Sequence, residues 1–259
     1  MMYSFFKETD RMQLNELRDY IGSLLAVSRF RDYNPNGVQV EGRAGIRRVA
    51  TAVTASQAVL EAATAWQADA VIVHHGYFWR GEDPCITGIK KQRIAHLLKN
   101  DMSLLAYHLP LDAHPELGNN AQLAKRLGFI FKGNFGEQDI ASYGALIQPQ
   151  SLQQLMHKIQ HVFQRTPQVI GPDSSQISTI AWCSGGGQGY FEQALALGVN
   201  AFLTGEISEQ YVHVAQETGV SFIAAGHHAT ERFGVQALGE HLAAQFGIEH
   251  QFFDQDIQV

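Results

Sequence analysis

Cysteine is nearly missing from this chain: Cys85 and Cys183 stand far apart in 259 residues, and neither belongs to a CxxC pair. That excludes a disulfide framework and a closed thiolate zinc site, and it makes the cytoplasm the expected location. A run of about 18 apolar residues, the minimum for a bilayer-spanning helix, occurs nowhere. The opening stretch, "MMYSFFKETDRMQLNELRDYIG", lacks the apolar core of a signal peptide. Positive charge is also in short supply. Nineteen Lys and Arg face 25 Asp and Glu, a formal charge of −6 with no basic cluster. General attraction to a phosphate backbone is disfavoured, and nucleic-acid binding stays open only as a local patch. No Gly-x-Ser-x-Gly elbow, GxGxxG turn or GxxxxGK[ST] loop is present, and Cys183 has no evident His partner. Nucleophilic acyl chemistry and the standard nucleotide fingerprints are therefore not indicated.

What the chain has is a 45% hydrophobic composition, enough length for one large domain or two ordinary ones, and 12 histidines. Apolar spacing predicts a helix over "MQLNELRDYIGSLL", and "DYNPNGVQVEG" reads as a turn before a short strand, Val38 to Val40. "RRVATAV" reads as a strand, "SQAVLEAATAWQ" as a helix with Ser56 as its N-cap, and "ADAVIVHH" as a buried strand. "KKQRIAHLLKN", "SLLAYH" and "GNNAQLAKRLG" follow as helix, strand and helix, the last closed by Gly128.

The second half repeats this order, ending in a helix over "ERFGVQALGEHLAAQFG". Val49, Ala50, Gln57, Glu61 and Ala70 stand at one constant offset before Ile180, Ala181, Gln188, Glu192 and Ala201, and only the first pair differs in type. An internal duplication follows, with domains at 1–128 and 129–259. Strands alternating with helices predict an α/β fold: a parallel or mixed sheet in each half, covered by helices in a three-layer sandwich.

In α/β sheets, sites gather beyond the carboxyl ends of the strands. There the sequence places His74 and His75, then His108 with Asp112 and His114, then Gly205 and Glu206, and finally His227, His228 and Glu231. Two adjacent His pairs occur where about 0.5 would arise by chance. Imidazole with carboxylate suits Zn, Fe, Mn, Ni or Co. His227 and Glu231 would share one helix face. His74 and His75, as neighbours on a strand, would point to opposite sides and could serve two metals. His96, His157, His161, His213, His241 and His250 read as helix-face or tail residues. "CSGGGQG", 183 to 189, could cradle a phosphate or simply be a tight strand-to-helix connection. In "FWRGEDP", Trp79 could stack on a base and Arg80 could meet a phosphate, or the loop is an ordinary surface.

Six stretches in order carry a resemblance: "DYNPNGVQVEG", "VIVHHGYFW", "HLPLDAHPELGNNAQLA", "SGGGQ", "FLTGEISEQ" and "AGHHATER". Together they resemble the Nif-three-like dinuclear metal-binding family, whose bacterial members are labelled GTP cyclohydrolase 1 type 2 homologues. The short bacterial form is the nearer match. The resemblance implies two similar, intertwined α/β domains with two divalent ions per chain between them. It implies His74, His75, Asp112, His227 and Glu231 as ligands, Glu231 bridging, with His108 a further ligand or neighbour. Glu206 and His228 would stand just outside the ligands, and His108 or His228 could shuttle a proton. A ring-shaped homohexamer is also implied.

Two functions remain open on this reading. One is a metal-dependent hydrolase acting on a nucleotide-like substrate, GTP ring opening being its specific form. The other is a ring that stores metal, or clamps nucleic acid or another partner, without chemistry.

Overall fold

Four apolar residues in succession, Ala70–Val73, can all be buried only in a strand covered on both faces. A computed structural model of the chain has that arrangement; it describes residues 12–172, 175–255 and 257. The reading that no apolar leader occupies residues 1–11 lies outside the described residues. Among the described residues, no helix is long and apolar enough to cross a membrane. Contacts divide the chain into two units. The first holds residues up to His108 together with Leu238–Gln255, and the second holds Leu109–Ala237. This division differs from the repeat boundary at 128/129, which is a reading of the sequence.

In the first unit, β1 (Met12–Gln13) leads into α1 (Leu14–Leu24), then β2 (Gly37–Val40) and β3 (Gly45–Ile46). There follow β4 (Arg48–Thr54), α2 (Gln57–Ala65), β5 (Ala70–His75), α3 (Gly88–Lys99) and β6 (Ser103–Ala106). Helix α2 starts where expected, the Ser56 hydroxyl accepting from Val59 N–H. β4, β5 and β6 run parallel, and β2 closes one side antiparallel to β6. One face buries Ala50, Val71, Val73 and Leu104 against Val59, Leu60 and Ala63 of α2 and Leu97 of α3. The alternate residues Val49, Ile72 and Leu105 have no exposure either, so the other face is covered too.

The second unit contains α4 (Leu109–Ala113), α5 (Asn119–Leu127), β7 (Phe129–Phe135), β8 (Ala141–Ser151), α6 (Leu152–Phe163) and β9 (Gln168–Ile170). It continues with β10 (Gln176–Trp182), α7 (Phe191–Ala196), β11 (Ala201–Thr204), α8 (Glu209–Thr218) and β12 (Ser221–Ala224). Its sheet runs β7-β8-β10-β11-β12-β9. Leu155 and Ile159 of α6, Phe233 and the inward face of the strands form one core. Phe191 of α7 packs edge-on to Phe222 of β12 with ring centroids 4.9 Å apart, on the other face. Deleting one such buried ring costs about 3–5 kcal/mol. Helix α9 (His227–Phe246) begins in the second unit and ends in the first, and β13 (Glu249–Phe252) then pairs parallel to β4.

The two sheets share a four-strand core, flanked by β13 in the first and by β8 and β7 in the second. Each has three parallel strands joined by helices, with an antiparallel fourth strand, preceded by a helix, at the end of the series. Val49 pairs with Ala70, and their counterparts in the repeat, Ile180 and Ala201, pair in the same way. The likeness reaches single hydrogen bonds. Asp69 accepts from the N–H groups of Arg47 and Arg48 at 2.8 and 2.9 Å. Asn200, its counterpart, accepts from Ser178 and Thr179 N–H, both at 3.0 Å. An internal duplication would leave this pattern.

The structure departs from the sequence reading in the hairpin, in the start of the last helix and at the final strand. The β7–β8 hairpin was missed because Ile130, Phe131 and Ile147 stay exposed, so no alternation marks the strands. The last helix starts at His227, not Glu231, which places both His227 and His228 in its first turn.

His250, read as a tail residue, lies in β13, where its Nε2 meets Thr51 Oγ1 at 2.8 Å. Burial pushes its pKa down, with Glu240 opposing. The unfolded chain therefore binds the proton more tightly, and the contribution is intact above about pH 6.5 and lost as pH falls. Urea unfolding of wild type and His250→Gln between pH 8 and 5 checks this. The stability gap between them should narrow with acidification, and a constant gap would refute it.

Candidate metal centre

The first unit brings three imidazoles together. The donor atoms of His74, His75 and His108 lie within 4.8 Å of one another. His74 and His75 end β5, and His108 follows β6 at the same end of the sheet. The ring centroids of His74 and His75 are 4.7 Å apart. They do not point to opposite sides as expected. Both residues still lie within β5, yet their rings lean together.

Each ring is anchored through Nδ1. His74 Nδ1 lies 3.0 Å from Tyr107 O, His75 Nδ1 3.1 Å from Thr54 Oγ1, and His108 Nδ1 2.9 Å from Asp32 Oδ1. A backbone carbonyl and a carboxylate only accept, so Nδ1 of His74 and of His108 carries the proton. In a neutral ring the Nε2 lone pair then faces outward, which is the tautomer a metal takes, held as outer partners hold it. Burial alone would raise the Asp32 pKa, but hydrogen bonding to His108 and its charge outweigh this. The carboxyl is held well below the usual carboxylate range.

The second unit supplies the carboxylates. Asp112, buried in α4, accepts from Ser184 Oγ at 2.8 Å and Asn119 Nδ2 at 2.9 Å through one oxygen, Oδ1. Glu231 is 3% exposed on α9, with Oε2 3.2 Å from Nε2 of His227, one helical turn earlier. His227 Nδ1 meets Glu206 Oε1 at 2.7 Å. Burial would lower the His227 pKa, but Glu231 and Glu206 overcome it and lift the ring to about 9. Glu206 thus stands as an outer partner of His227. His228 is partly exposed in the same helical turn.

The start of the glycine-rich loop is tied to its neighbours. Ser184 N–H donates to Asn120 Oδ1 and Gly185 N–H to Thr230 Oγ1, both at 2.9 Å. These two donors are used internally. Gly185 has φ +60, and a Cβ there would overlap Glu231 Oε1. The loop needs glycine so that its backbone can lie against a buried carboxylate. Burial first, and the charges of Asp112 and Glu231 next, push the Cys183 thiol well up, which removes it as a nucleophile.

Sequence reasoning missed Asp32, Ser184 and Asn119 as site residues. Asp32 and His108 are 76 residues apart, and no local spacing joins them. The local signal at Asp32 is its acceptance of Asn34 N–H, the mark of an Asx turn in "DYNPNG".

This donor chemistry can be set beside known proteins. Residues 12–258 match the family described as Duf34/NIF3 (NGG1p interacting factor 3). The chain belongs to this family. The GTP cyclohydrolase 1 type 2 homolog of Pseudomonas aeruginosa is 53% identical over 245 residues, covering 93% of this chain and 96% of that protein. Among solved structures, protein ybgI, described as of unknown function, has a TM-score of 0.92 and 46% identity. It covers 96% of this chain and 100% of its own. Protein TTHA1606 from Thermus thermophilus has a TM-score of 0.88 and 35% identity, over 96% of this chain and 100% of its own. The Duf34/NIF3 family and the α/β fold are both as the resemblance implied.

Gly198 offers a control for Gly185. It also has positive φ, +67, and a Cβ added there would meet nothing within 4 Å. Gly198→Ala should cost only the conformational term, about 1–2 kcal/mol. Gly185→Ala should cost clearly more, because Glu231 must move as well. Equal losses on chemical denaturation would mean that the Gly185–Glu231 approach carries no energy.

Proposed function

We propose that this chain is a dinuclear metal-dependent hydrolase of a nucleotide-like substrate. The single observation that carries the reading is the His74, His75 and His108 group, whose donor atoms lie within 4.8 Å of one another. The donor set fits such a group, with imidazoles oriented through Nδ1 and the buried Asp112 carboxylate held by neutral donors. The reading assigns two divalent ions, Fe, Mn, Zn or Ni, to His74, His75, Asp112, His227 and Glu231. Bound at such donors, divalent ions lower the pKa of water toward neutrality and polarise substrate oxygens.

The chain's own residues would do the rest. Ser184 and Asn119 fix one oxygen of Asp112 and so set the direction of the whole carboxylate. Glu206 orients His227. Asp32 orients His108 by accepting from its Nδ1 at 2.9 Å, and His108 is the first proton-shuttle candidate. His228 is the second proton-shuttle candidate. The name of the Pseudomonas aeruginosa relative supports a purine nucleotide substrate, with GTP ring opening as the specific form. A ring-shaped homohexamer, formed in the cytoplasm, belongs to the same proposal.

Elemental analysis of protein purified without chelator tests the reading. Wild type should hold close to two metals per chain, and His74→Ala and Glu231→Ala should lose them. Glu231→Ala should also lose nucleotide turnover while keeping its circular dichroism spectrum. Wild type that takes up no metal after reconstitution with Mn, Fe, Ni and Zn would overturn the dinuclear assignment. Metal without turnover of any nucleotide would favour a carrier instead.

A further inference from the structure

Beside the histidine group stand two aromatic rings that its chemistry does not require. Tyr33 is 52% exposed, with its ring centroid 4.9 Å from His108 in an edge-on contact. Trp79 lies 5.1 Å from His108, also edge-on, and 6.0 Å from His75. Tyr33 and Trp79 are 5.5 Å apart with planes tilted by 38°. The two rings make an angled wall whose inner side is an imidazole that the proposed chemistry uses.

The wall is built, not incidental. Arg80 N–H donates to Tyr33 O, and Arg80 Nη2 donates to Asp32 O, both at 2.8 Å. These bonds tie the Tyr33 segment to the Trp79 loop. Asn34 Nδ2 reaches Tyr77 O at 3.4 Å, and Gln39 Oε1 accepts from Tyr77 N–H at 2.6 Å, binding the same two segments again. Trp79 Nε1 donates to Gly76 O at 3.2 Å, which fixes the indole plane. Phe78, next to it, has φ +63, a conformation that a bulky residue adopts at a cost. Strain beside a proposed catalytic imidazole, in a loop carrying a fixed indole, is the pattern of preorganisation.

We infer that Tyr33 and Trp79 stack against the planar heteroaromatic ring of the substrate and present it to the histidine group. The inference rests on the proposed function for the reaction, and it narrows the substrate class to a molecule with a flat π-system, such as a nucleobase. Aromatic faces gain most from a flat π-system and little from a sugar phosphate alone. Asp32 then serves two purposes: it holds His108 through its carboxylate, and through its backbone it helps seat the stacking segment.

The test uses the full-length, metal-loaded protein with guanosine 5′-monophosphate as probe and ribose 5-phosphate as control, read by titration calorimetry. Tyr33→Leu and Trp79→Leu should each weaken the nucleotide by at least about fivefold, the lower range for one base–aromatic stack. Binding of ribose 5-phosphate and metal content should not change. Tyr33→Phe should bind the nucleotide like wild type. Trp79→Phe should keep most of the affinity but lose the fluorescence quench that the nucleotide causes in wild type. The inference is overturned if both Leu variants bind the nucleotide as wild type does, or if metal-loaded wild type does not bind it at all. Should wild type hold no metal yet bind the nucleotide in a Tyr33- and Trp79-dependent way, the metal assignment fails and the stacking wall stands.

Discussion

The proposed chemistry depends on one repeated contact: a proton-bearing or hydrogen-bonded Nδ1 held by a neighbour. His74 uses a backbone oxygen of Tyr107, His75 a threonine hydroxyl, His108 the Asp32 carboxylate and His227 the Glu206 carboxylate. An imidazole ring free to turn presents either nitrogen, and its lone pair has no fixed direction. Anchoring one nitrogen settles the other. The four anchors differ in strength, since a carboxylate partner gives a charge-assisted bond roughly twice as strong as a neutral one. Of the four, His227 is the ring whose pKa is raised, against the opposing effect of burial, by the neighbouring Glu231 and Glu206 carboxylates.

The sheets explain why these contacts arise where they do. Parallel strands that are buried on both faces can carry polar side chains only at their ends, so chemistry collects there. In the first unit β5 ends in two histidines. At the corresponding place in the second repeat stand Gly205 and Glu206. Imidazoles stand at this position in the first unit, and a glycine and a carboxylate stand there in the second. Gly205 has no space for a side chain, because a Cβ would press on the backbone of His227.

Much of this was legible in the residues. The run Ala70–Val73 announced a doubly covered strand, and the histidines after it were visible at its end. The i,i+4 relation of His227 and Glu231 followed from helical geometry and is seen at 3.2 Å. What stayed hidden depends on pairings across long stretches of chain. Asp32 to His108 and Ser184 to Asp112 leave no periodic trace, because either partner alone is an ordinary turn or loop residue. Tyr33 was invisible as a site residue for the same reason. The β7–β8 hairpin was hidden by its exposed apolar face, which breaks the alternation that marks a half-buried strand.

The pairing of β13 with β4 has a consequence for biosynthesis. β4 is made early, yet its outer neighbour is supplied by Glu249–Phe252, close to the end of the chain. At about 5–20 residues per second, the nascent chain waits on the order of 10–40 s for that strand. During that interval the ribosome holds a sheet whose β4 backbone has one open side, the kind of edge that recruits foreign strands. The main segment of the second unit, Leu109–Ala237, is made before that strand. The first unit's sheet therefore stays incomplete until residues 249–252 have been made.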